Sequence, residues 1–156
     1  MSAPRIAVAV QDASACKSVP PPASIRRWVR AAAAGKGACE VTVRVVDAAE
    51  SAALNLRYRK KPGATNVLSF PAGDTAPVPG EVPSLGDVVI CAPVLEREAR
   101  AQGKTAEAHW AHIVAHGTLH LLGYDHATGA EAEIMERRER ELLAEFGFPD
   151  PYRVSQ

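Results

Sequence analysis

The segment between residues 109 and 126 constrains this chain more than any other, because it contains all five histidines. Within it, His116, His120 and His126 follow one another at intervals of four and six positions, with Gly123 between the last two. Residues four apart lie on one face of a helix, so His116 and His120 can bind one ion together. Gly123 can adopt the left-handed conformation that ends a helix, which returns His126 toward the same point. Three imidazoles leave one position of a tetrahedral ion open for water, as in a catalytic zinc site.

The two remaining histidines, His109 and His112, are not predicted to be ligands. His112 and His120 are separated by about 12 Å of helix rise, whereas the donor atoms around one zinc ion lie only about 3–4 Å apart. We therefore expect His109 and His112 to pack in the core or to orient the ligands. Three imidazoles also suit nickel, copper or iron, so the pattern predicts one divalent ion per chain and leaves its identity open.

The residue that follows the first ligand argues against one class of hydrolase. Zinc peptidases of the His-Glu-x-x-His type carry a glutamate there as general base, and this chain has Gly117. A phosphodiester can still be attacked if a cation neutralises its oxygens, and the segment Arg57-Tyr-Arg59-Lys60-Lys61 supplies such cations. Arginine suits phosphate because its planar fork donates two parallel hydrogen bonds. The same cluster is also typical of a solvated helix C-terminus, so both interpretations stay open at this point.

The distribution of apolar residues predicts a single α+β domain over residues 1–156, with a small four-stranded sheet packed against about five helices. Strands are expected at 5–11, 40–46, 65–70 and 86–91. Helices are expected around 25–32, from Asp47 to about Tyr58, from Pro93 to Gly103, from Thr105 to Gly123 and from Thr128 to Gly147.

Further details of this fold follow from local patterns. The helix before Gly123 is apolar almost all round and should cross the core, which would place the metal site on a buried central helix and the turn after it. Asp47 and Thr128 each precede a glutamate by three residues, so each is expected to form a capping box. Residues 71–85 are predicted to form an exposed loop. Arginines that alternate with glutamates predict an exposed, salt-bridged face at Arg137, Arg138 and Arg140.

The charge balance and the cysteine content exclude few binding partners, but they favour a reducing cellular compartment. Lys+Arg and Asp+Glu are balanced at 18 each, so no global charge indicates a polyanionic partner, although a local basic patch remains possible. Three widely spaced cysteines predict reduced thiols. No apolar stretch approaches the roughly 20 residues that span a bilayer, and no cleavable signal pattern is visible. These features predict a cytoplasmic protein without a membrane partner.

Several segments together resemble one known family. The run His116-Gly-Thr-Leu-His-Leu-Leu-Gly-Tyr-Asp-His126 matches the signature H-G-x-L-H-L-x-G-Y-D-H of the bacterial YbeY family of metal-dependent endoribonucleases. The resemblance extends from about residue 38 to 152. Supporting matches are Asn55-Leu-Arg-Tyr-Arg59, Thr65-Asn-Val-Leu-Ser-Phe-Pro71, Leu85-Gly-Asp-Val-Val-Ile90, Glu107-Ala-His-Trp-Ala-His112 and Pro149-Asp-Pro-Tyr152.

The resemblance implies a single-domain α+β fold with Zn²⁺ bound by His116, His120 and His126. It also implies cleavage of single-stranded RNA, in maturation of the 16S ribosomal RNA 3′ end and in ribosome quality control, with the small ribosomal subunit and assembly factors as partners. Arg59 corresponds to an arginine that is functionally important in the family. The family usually continues from it with Lys-Asp-x-Pro-Thr, whereas this chain has Lys60-Lys-Pro-Gly-Ala-Thr65.

The leading hypothesis is therefore a zinc-dependent endoribonuclease in which Arg59 stabilises the phosphate. Arg57, Lys60 and Lys61 are weaker predictions for RNA contacts. Attack by water and attack by the RNA's own 2′-hydroxyl are both compatible with these residues. Two alternatives remain: a zinc hydrolase of a peptide or small amide, which Gly117 disfavours, and a non-enzymatic ribosome-assembly factor that uses the metal only for structure.

Overall fold

The computed structural model describes residues 6–73 and 82–153, over which strands and helices form one mixed succession. The strands are β1 (Ile6–Asp12), β2 (Cys39–Val46), β3 (Val67–Pro71) and β4 (Ser84–Cys91). The helices are α1 (Pro22–Ala32), α2 (Ala48–Arg59), α3 (Ala92–Ala101), α4 (Ala106–Leu121) and α5 (Gly129–Glu145). The predicted α+β domain, with a four-stranded sheet and five helices, is thus confirmed.

The sheet is mostly parallel and has the strand order β1-β2-β4-β3. The first three of these strands run parallel, and β3 pairs antiparallel with β4 at one edge. Along β2 the alternate residues Val41, Val43 and Val45 are fully buried on the inner face, whereas Thr42 and Arg44 lie on the outer face. This period of two separates an inner face that faces the main core from an outer face that carries polar residues.

Helix α4 is the central element of the inner layer. It contacts α1, α3, α5, β3 and β4. Its side chains at Trp110, Val114 and Leu119 are almost completely excluded from solvent, as the sequence predicted. A helix packed against five other elements is a rigid support for the histidines that it carries.

Helix α2 lies on the other side of the sheet, where a smaller apolar cluster forms. In this cluster Leu54 of α2 packs against buried residues on the outer side of the sheet, which are Val46, Leu68, Val89, Cys91 and Val94. The C-terminal end of α2 therefore reaches the β3 edge of the sheet, close to the segment that precedes β3.

The N-terminal cap of α2 and the first residue of β3 differ from the prediction. Asp47 precedes α2 but forms no side-chain cap, because its carboxylate accepts hydrogen bonds from the Ser14 hydroxyl (2.6 Å) and the Ala15 amide (3.0 Å). The third strand begins at Val67 and not at residue 65, because both backbone groups of Thr65 bond to the Ser51 hydroxyl of α2. Thr105 and Thr128 do cap their helices, through bonds from Ala108 and Glu131 amides.

The predicted loop at 71–85 is shorter in the structure at both ends. Pro71 belongs to β3, and β4 begins at Ser84, while residues 74–81 lie outside the described residues. The first predicted position of β1, residue 5, also lies outside them. Cys16, Cys39 and Cys91 are free thiols, as predicted. Among the described helices, none combines the length and apolarity that crossing a membrane requires.

Candidate metal centre

The structure brings His116, His120 and His126 together at the C-terminal end of α4. One ring nitrogen from each lies within 4.8 Å of those of the other two. The Nε2 atoms of His116 and His120 are 3.2 Å apart. Ligand atoms of a tetrahedral zinc ion are separated by about 3.3 Å when the bonds are about 2.0–2.1 Å long. His116 and His120 therefore have the spacing of two zinc ligands, and His126 lies close enough to be the third.

The turn after α4 returns the third imidazole to the first two. Gly123 has φ +99°, a left-handed conformation that side chains disfavour. Its amide donates to His120 O (3.1 Å), and the Tyr124 amide donates to Leu119 O (3.1 Å), which satisfies the last carbonyls of the helix. Beyond the turn, the Asp125 carboxylate accepts a hydrogen bond of 2.7 Å from the His126 backbone amide. Asp125 therefore stabilises the backbone of the third histidine.

A carboxylate on α5 fixes the orientation of the first histidine. Glu139 is fully buried, and its two oxygens accept hydrogen bonds from His116 Nδ1 (2.6 Å) and His112 Nε2 (2.9 Å). The Tyr152 hydroxyl donates to the same carboxylate. Burial raises the pKa of Glu139, but these hydrogen bonds outweigh it and leave the pKa lowered to about 2. An ionised carboxylate can only accept hydrogen bonds, so His116 carries its proton on Nδ1. The Nε2 lone pair of His116 then faces the other two imidazoles.

The protonation of the second histidine also suits a ligand. Burial lowers the pKa of His120, and the neighbouring imidazoles of His116 and His126 lower it further. Metals bind the neutral imidazole, so a lowered pKa keeps His120 in the form that binds. Spacing, tautomer and neutral charge together fit a resident divalent cation of the kind that imidazoles prefer.

The other two histidines are buried, and each is hydrogen-bonded to a carboxylate. His112 bonds to Glu139 and so acts on His116 through that carboxylate. His109 is almost fully buried, and its Nε2 lies 2.9 Å from Glu98 Oε1. The same carboxylate accepts hydrogen bonds from the Asn66 side-chain amide (3.3 Å), which lies at the entrance to β3. His109 and Asn66 are therefore linked through the Glu98 carboxylate.

Gly117 faces the sheet and not the trio. A Cβ atom on this residue would lie 2.6 Å from Val88 Cγ1 and 3.1 Å from Val67 Cγ2. In addition, Gly117 O accepts a hydrogen bond of 2.9 Å from the Ser69 hydroxyl. The glycine thus permits close contact between α4 and the β3–β4 pair. A glutamate at this position would collide with the sheet, so the general base of the His-Glu-x-x-His peptidases has no place here.

The trio opens into a cavity of about 680 Å³, which we call the imidazole cavity. Arg59, the last residue of α2, lines it together with the three histidines. Lys60 terminates α2 in the left-handed conformation (φ +58°), and this reversal ends the helix at the cavity. The other lining residues are Tyr58, Asn66, Val67, Leu68, Ser69, Phe70, Pro71 and Asp125.

The remaining basic residues of this segment lie elsewhere on the surface. The Lys60 ammonium donates to Arg57 O (3.2 Å), so it caps its own helix. The Arg57 guanidinium lies 5.3 Å from the centre of the Tyr58 ring. Arg57 and Lys61 are exposed and do not line the imidazole cavity. Of the four basic residues that the sequence predicted, Arg59 is the one that lines the same cavity as the three histidines.

Sequence reasoning missed Glu139, because it was counted among the glutamates of an exposed face. Two of the surrounding arginines do form surface ion pairs: Arg138 pairs with Glu141 (3.5 Å) and Arg140 with Asp150 (3.2 Å). A signal for burial was nevertheless present: Met135, Leu142 and Leu143 are apolar and lie four before, three after and four after Glu139. These positions form one helical stripe, and a lone carboxylate within an apolar stripe indicates a buried partner.

Comparison with known proteins gives a consistent family assignment. The sequence model of the family Endoribonuclease YbeY matches residues 16–147. A protein of Pseudomonas entomophila named Endoribonuclease YbeY is 59% identical over 136 residues, which are 86% of either chain. One of Alkalilimnicola ehrlichii with the same name is 52% identical and covers 99% of this chain and 95% of its own.

A solved structure supports the fold independently of close sequence similarity. The solution structure of TM1509 from Thermotoga maritima aligns with a TM-score of 0.57 over 96% of this chain and 99% of that chain, at 23% identity. Together with the family match over most of the sequence, these findings identify the chain as a member of the Endoribonuclease YbeY family of hydrolytic nucleases.

Proposed function

We propose that this chain is a zinc-dependent endoribonuclease that cleaves single-stranded RNA. The observation that supports this most is the arrangement of three imidazoles and one arginine on a single open cavity, in a member of an endoribonuclease family. We propose further that residues 1–156 form one metallo-endoribonuclease domain, that it acts in the cytoplasm on the 16S ribosomal RNA 3′ end and in ribosome quality control, and that its partners are the small ribosomal subunit and assembly factors.

In this proposal His116, His120 and His126 hold one Zn²⁺ per chain, and nickel or another divalent metal is the alternative. When bound, the ion supplies Lewis-acid chemistry at a phosphoryl oxygen or activates water. Glu139 holds His116 in the tautomer whose Nε2 is free, and His112 and Tyr152 hold Glu139 in turn.

In the same proposal, Arg59 binds and orients the scissile phosphate. Arg59 is exposed at the end of α2 and lines the same cavity as the three histidines. A planar fork donates two parallel hydrogen bonds to phosphoryl oxygens, and its positive charge offsets the negative charge that develops during cleavage. Arg59 belongs to α2, whereas His116 and His120 belong to α4, so the phosphate-binding group and the metal ligands are held by different helices.

Two alternatives receive less support from the described residues. Peptide hydrolysis by the glutamate-dependent route is disfavoured because Gly117 is packed against the sheet. A purely structural role for the metal leaves unexplained why the trio lies in an open cavity with an arginine, since structural zinc sites are closed by four protein ligands.

The test is cleavage of a labelled single-stranded RNA by wild type, Arg59→Ala and His120→Ala, each purified identically and assayed with and without chelator. Arg57→Ala is the matched control, because Arg57 is an exposed arginine of the same helix end outside the cavity. We expect cleavage only by metal-loaded wild type and Arg57→Ala. Equal cleavage by all preparations would mean contamination and would overturn the proposal. The product ends decide the nucleophile, since attack by the 2′-hydroxyl leaves a cyclic phosphate.

A further inference from the structure

Two aromatic rings lie between the imidazole cavity and a second depression in the surface. Tyr58 is 55% exposed, and its ring centre lies 5.1 Å from that of Phe70 at an interplanar angle of 70°. Both residues line the imidazole cavity, and both also line a neighbouring cavity of about 540 Å³. We call this second cavity the outer groove; its other lining residues are Gln11, Thr42, Arg44, Glu50, Leu54, Asp87 and Val89.

The outer groove runs between α2 and the outer face of the sheet. Glu50, Leu54 and Tyr58 are spaced four apart and form one stripe of α2. Phe70 is paired directly with Asp87 in the β3–β4 register, so both side chains project from the same face of the sheet. A polymer that leaves the imidazole cavity past Tyr58 and Phe70 therefore enters a groove lined by α2 on one side and by the outer face of the sheet at its base.

Charge shows which part of a nucleotide this groove suits. Arg44 is its cation, and the Glu50 carboxylate binds that guanidinium through two bonds of 2.6 and 2.9 Å. Asp87 adds a second carboxylate to the lining of the groove. The outer groove thus disfavours a phosphate, whereas the imidazole cavity carries Arg59. A nucleic-acid strand would keep its phosphates on the Arg59 side and turn a base toward the aromatic rings.

The exposed tyrosine has the properties of a stacking surface. Nucleobases stack on exposed aromatic rings in proteins that bind single strands, and this contact tolerates any base because each has a π-face. Phe70 packs against the ring of Tyr58 from the sheet.

We propose that Tyr58, supported by Phe70, forms a stacking subsite for the nucleobase next to the scissile phosphate and directs that base into the outer groove. This inference rests on the proposed function, since it assigns a subsite for the same RNA substrate. It gives a physical reason for single-strand specificity: a base must leave its helix before it can stack on Tyr58, and a paired base is not available.

The experiment first maps the bonds that wild type cleaves in a single-stranded RNA. Matched RNAs are then made with an abasic nucleotide on either side of one such bond. Enzymes are wild type, Tyr58→Leu, Tyr58→Phe and, as control, Leu56→Ala; Leu56 is equally exposed on the same helix and lines neither cavity. Cleavage rates at low substrate are compared, and the affinity of chelator-treated protein for the same RNAs is measured by fluorescence anisotropy.

On intact RNA, Tyr58→Leu should reduce cleavage and affinity by roughly 5- to 150-fold, whereas Tyr58→Phe and Leu56→Ala should resemble wild type. On the RNA that lacks the stacked base, wild type should lose the same factor and Tyr58→Leu should lose nothing more. The subsite is refuted if Tyr58→Leu matches wild type on intact RNA, or if its loss is as large on both abasic RNAs as on intact RNA. If no preparation cleaves RNA, the proposed function fails together with the subsite.

Discussion

The replacement of Glu139 by glutamine tests whether a buried carboxylate prepares the first histidine for a metal. Glutamine has nearly the same shape, so Glu139→Gln leaves no cavity. It replaces one accepting oxygen by an NH₂ donor, although the carboxylate receives hydrogen bonds from His116 Nδ1 (2.6 Å), His112 Nε2 (2.9 Å) and the Tyr152 hydroxyl. One imidazole N–H must then face another donor, or its ring must change tautomer.

The magnitude follows from which of these responses is cheaper. A buried donor that loses its acceptor costs about 1–3 kcal/mol, and the relief of burying a charge offsets part of that loss. If His116 moves its proton to Nε2, the nitrogen that faces the trio is no longer free to bind. Loss of such an orienting partner lowers metal affinity by about 10–100-fold, or roughly 1.4–2.7 kcal/mol. We expect both a lower free energy of unfolding and weaker metal binding.

Two measurements separate these effects. Zinc affinity is measured near pH 7 by competition with a fluorescent chelator, and the free energy of unfolding of the metal-free protein is measured in urea. The matched control is Glu141→Gln on the same helix, because the Glu141 side chain is 58% exposed and pairs with Arg138 at 3.5 Å. An exposed pair of this kind contributes about 0–1 kcal/mol, so the control should bind zinc like wild type.

One result would refute the reasoning about the tautomer. If folded Glu139→Gln binds zinc with the affinity of wild type, then the carboxylate does not prepare His116 for an ion. A loss of stability alone would assign Glu139 to packing, and a loss of affinity confined to Glu139→Gln would assign it to the site.

Three further predictions concern the ion, the close helix contact and the turn. A saturating divalent ion should raise the stability of wild type by about 2.7 kcal/mol at 100 times its Kd, a shift in thermal unfolding that His120→Ala should abolish. Gly117→Ala should lower the free energy of unfolding in urea by about 1–3 kcal/mol, because its methyl group overpacks α4 against the sheet. Gly129→Ala adds a Cβ in open space and should not lower it. Equal effects of the two substitutions would contradict the close contact at Gly117. Gly123→Ala and Gly147→Ala, both at positive φ, should each cost about 1–2 kcal/mol, but only the former should weaken zinc binding in the competition assay.

Much of the fold could be predicted because its signals are local. Helix α4 follows from a capping threonine, continuous apolar residues and a glycine that tolerates positive φ, and each of these acts within a few residues. The same local geometry brings the three histidines together, since two of them are one helical turn apart and the third follows the turn. The sequence therefore determined the composition of the candidate metal centre.

Contacts between distant segments were beyond such reasoning. The cap of α2 was predicted wrongly because the Asp47 carboxylate binds Ser14 and Ala15, which lie more than 30 residues earlier. Arg59 could be nominated by its chemistry, but its place beside the imidazoles depends on how the end of α2 meets the β3 edge of the sheet. The identity of a residue gives its chemistry, whereas its neighbours depend on the packing of whole elements.

The roles of Glu139 and Gly117 mark this boundary most clearly. From sequence, Glu139 is one glutamate among several on a charged helix, and only the packing of α5 against α4 makes it a buried acceptor for His116. The sequence shows that Gly117 stands where the His-Glu-x-x-His peptidases have their general base. Only the close approach of β4 to α4 explains why no side chain fits at this position. The sequence by itself determined which groups could bind an ion, because those signals are local. The tertiary structure decided their protonation, support and access, because these depend on contacts across the fold.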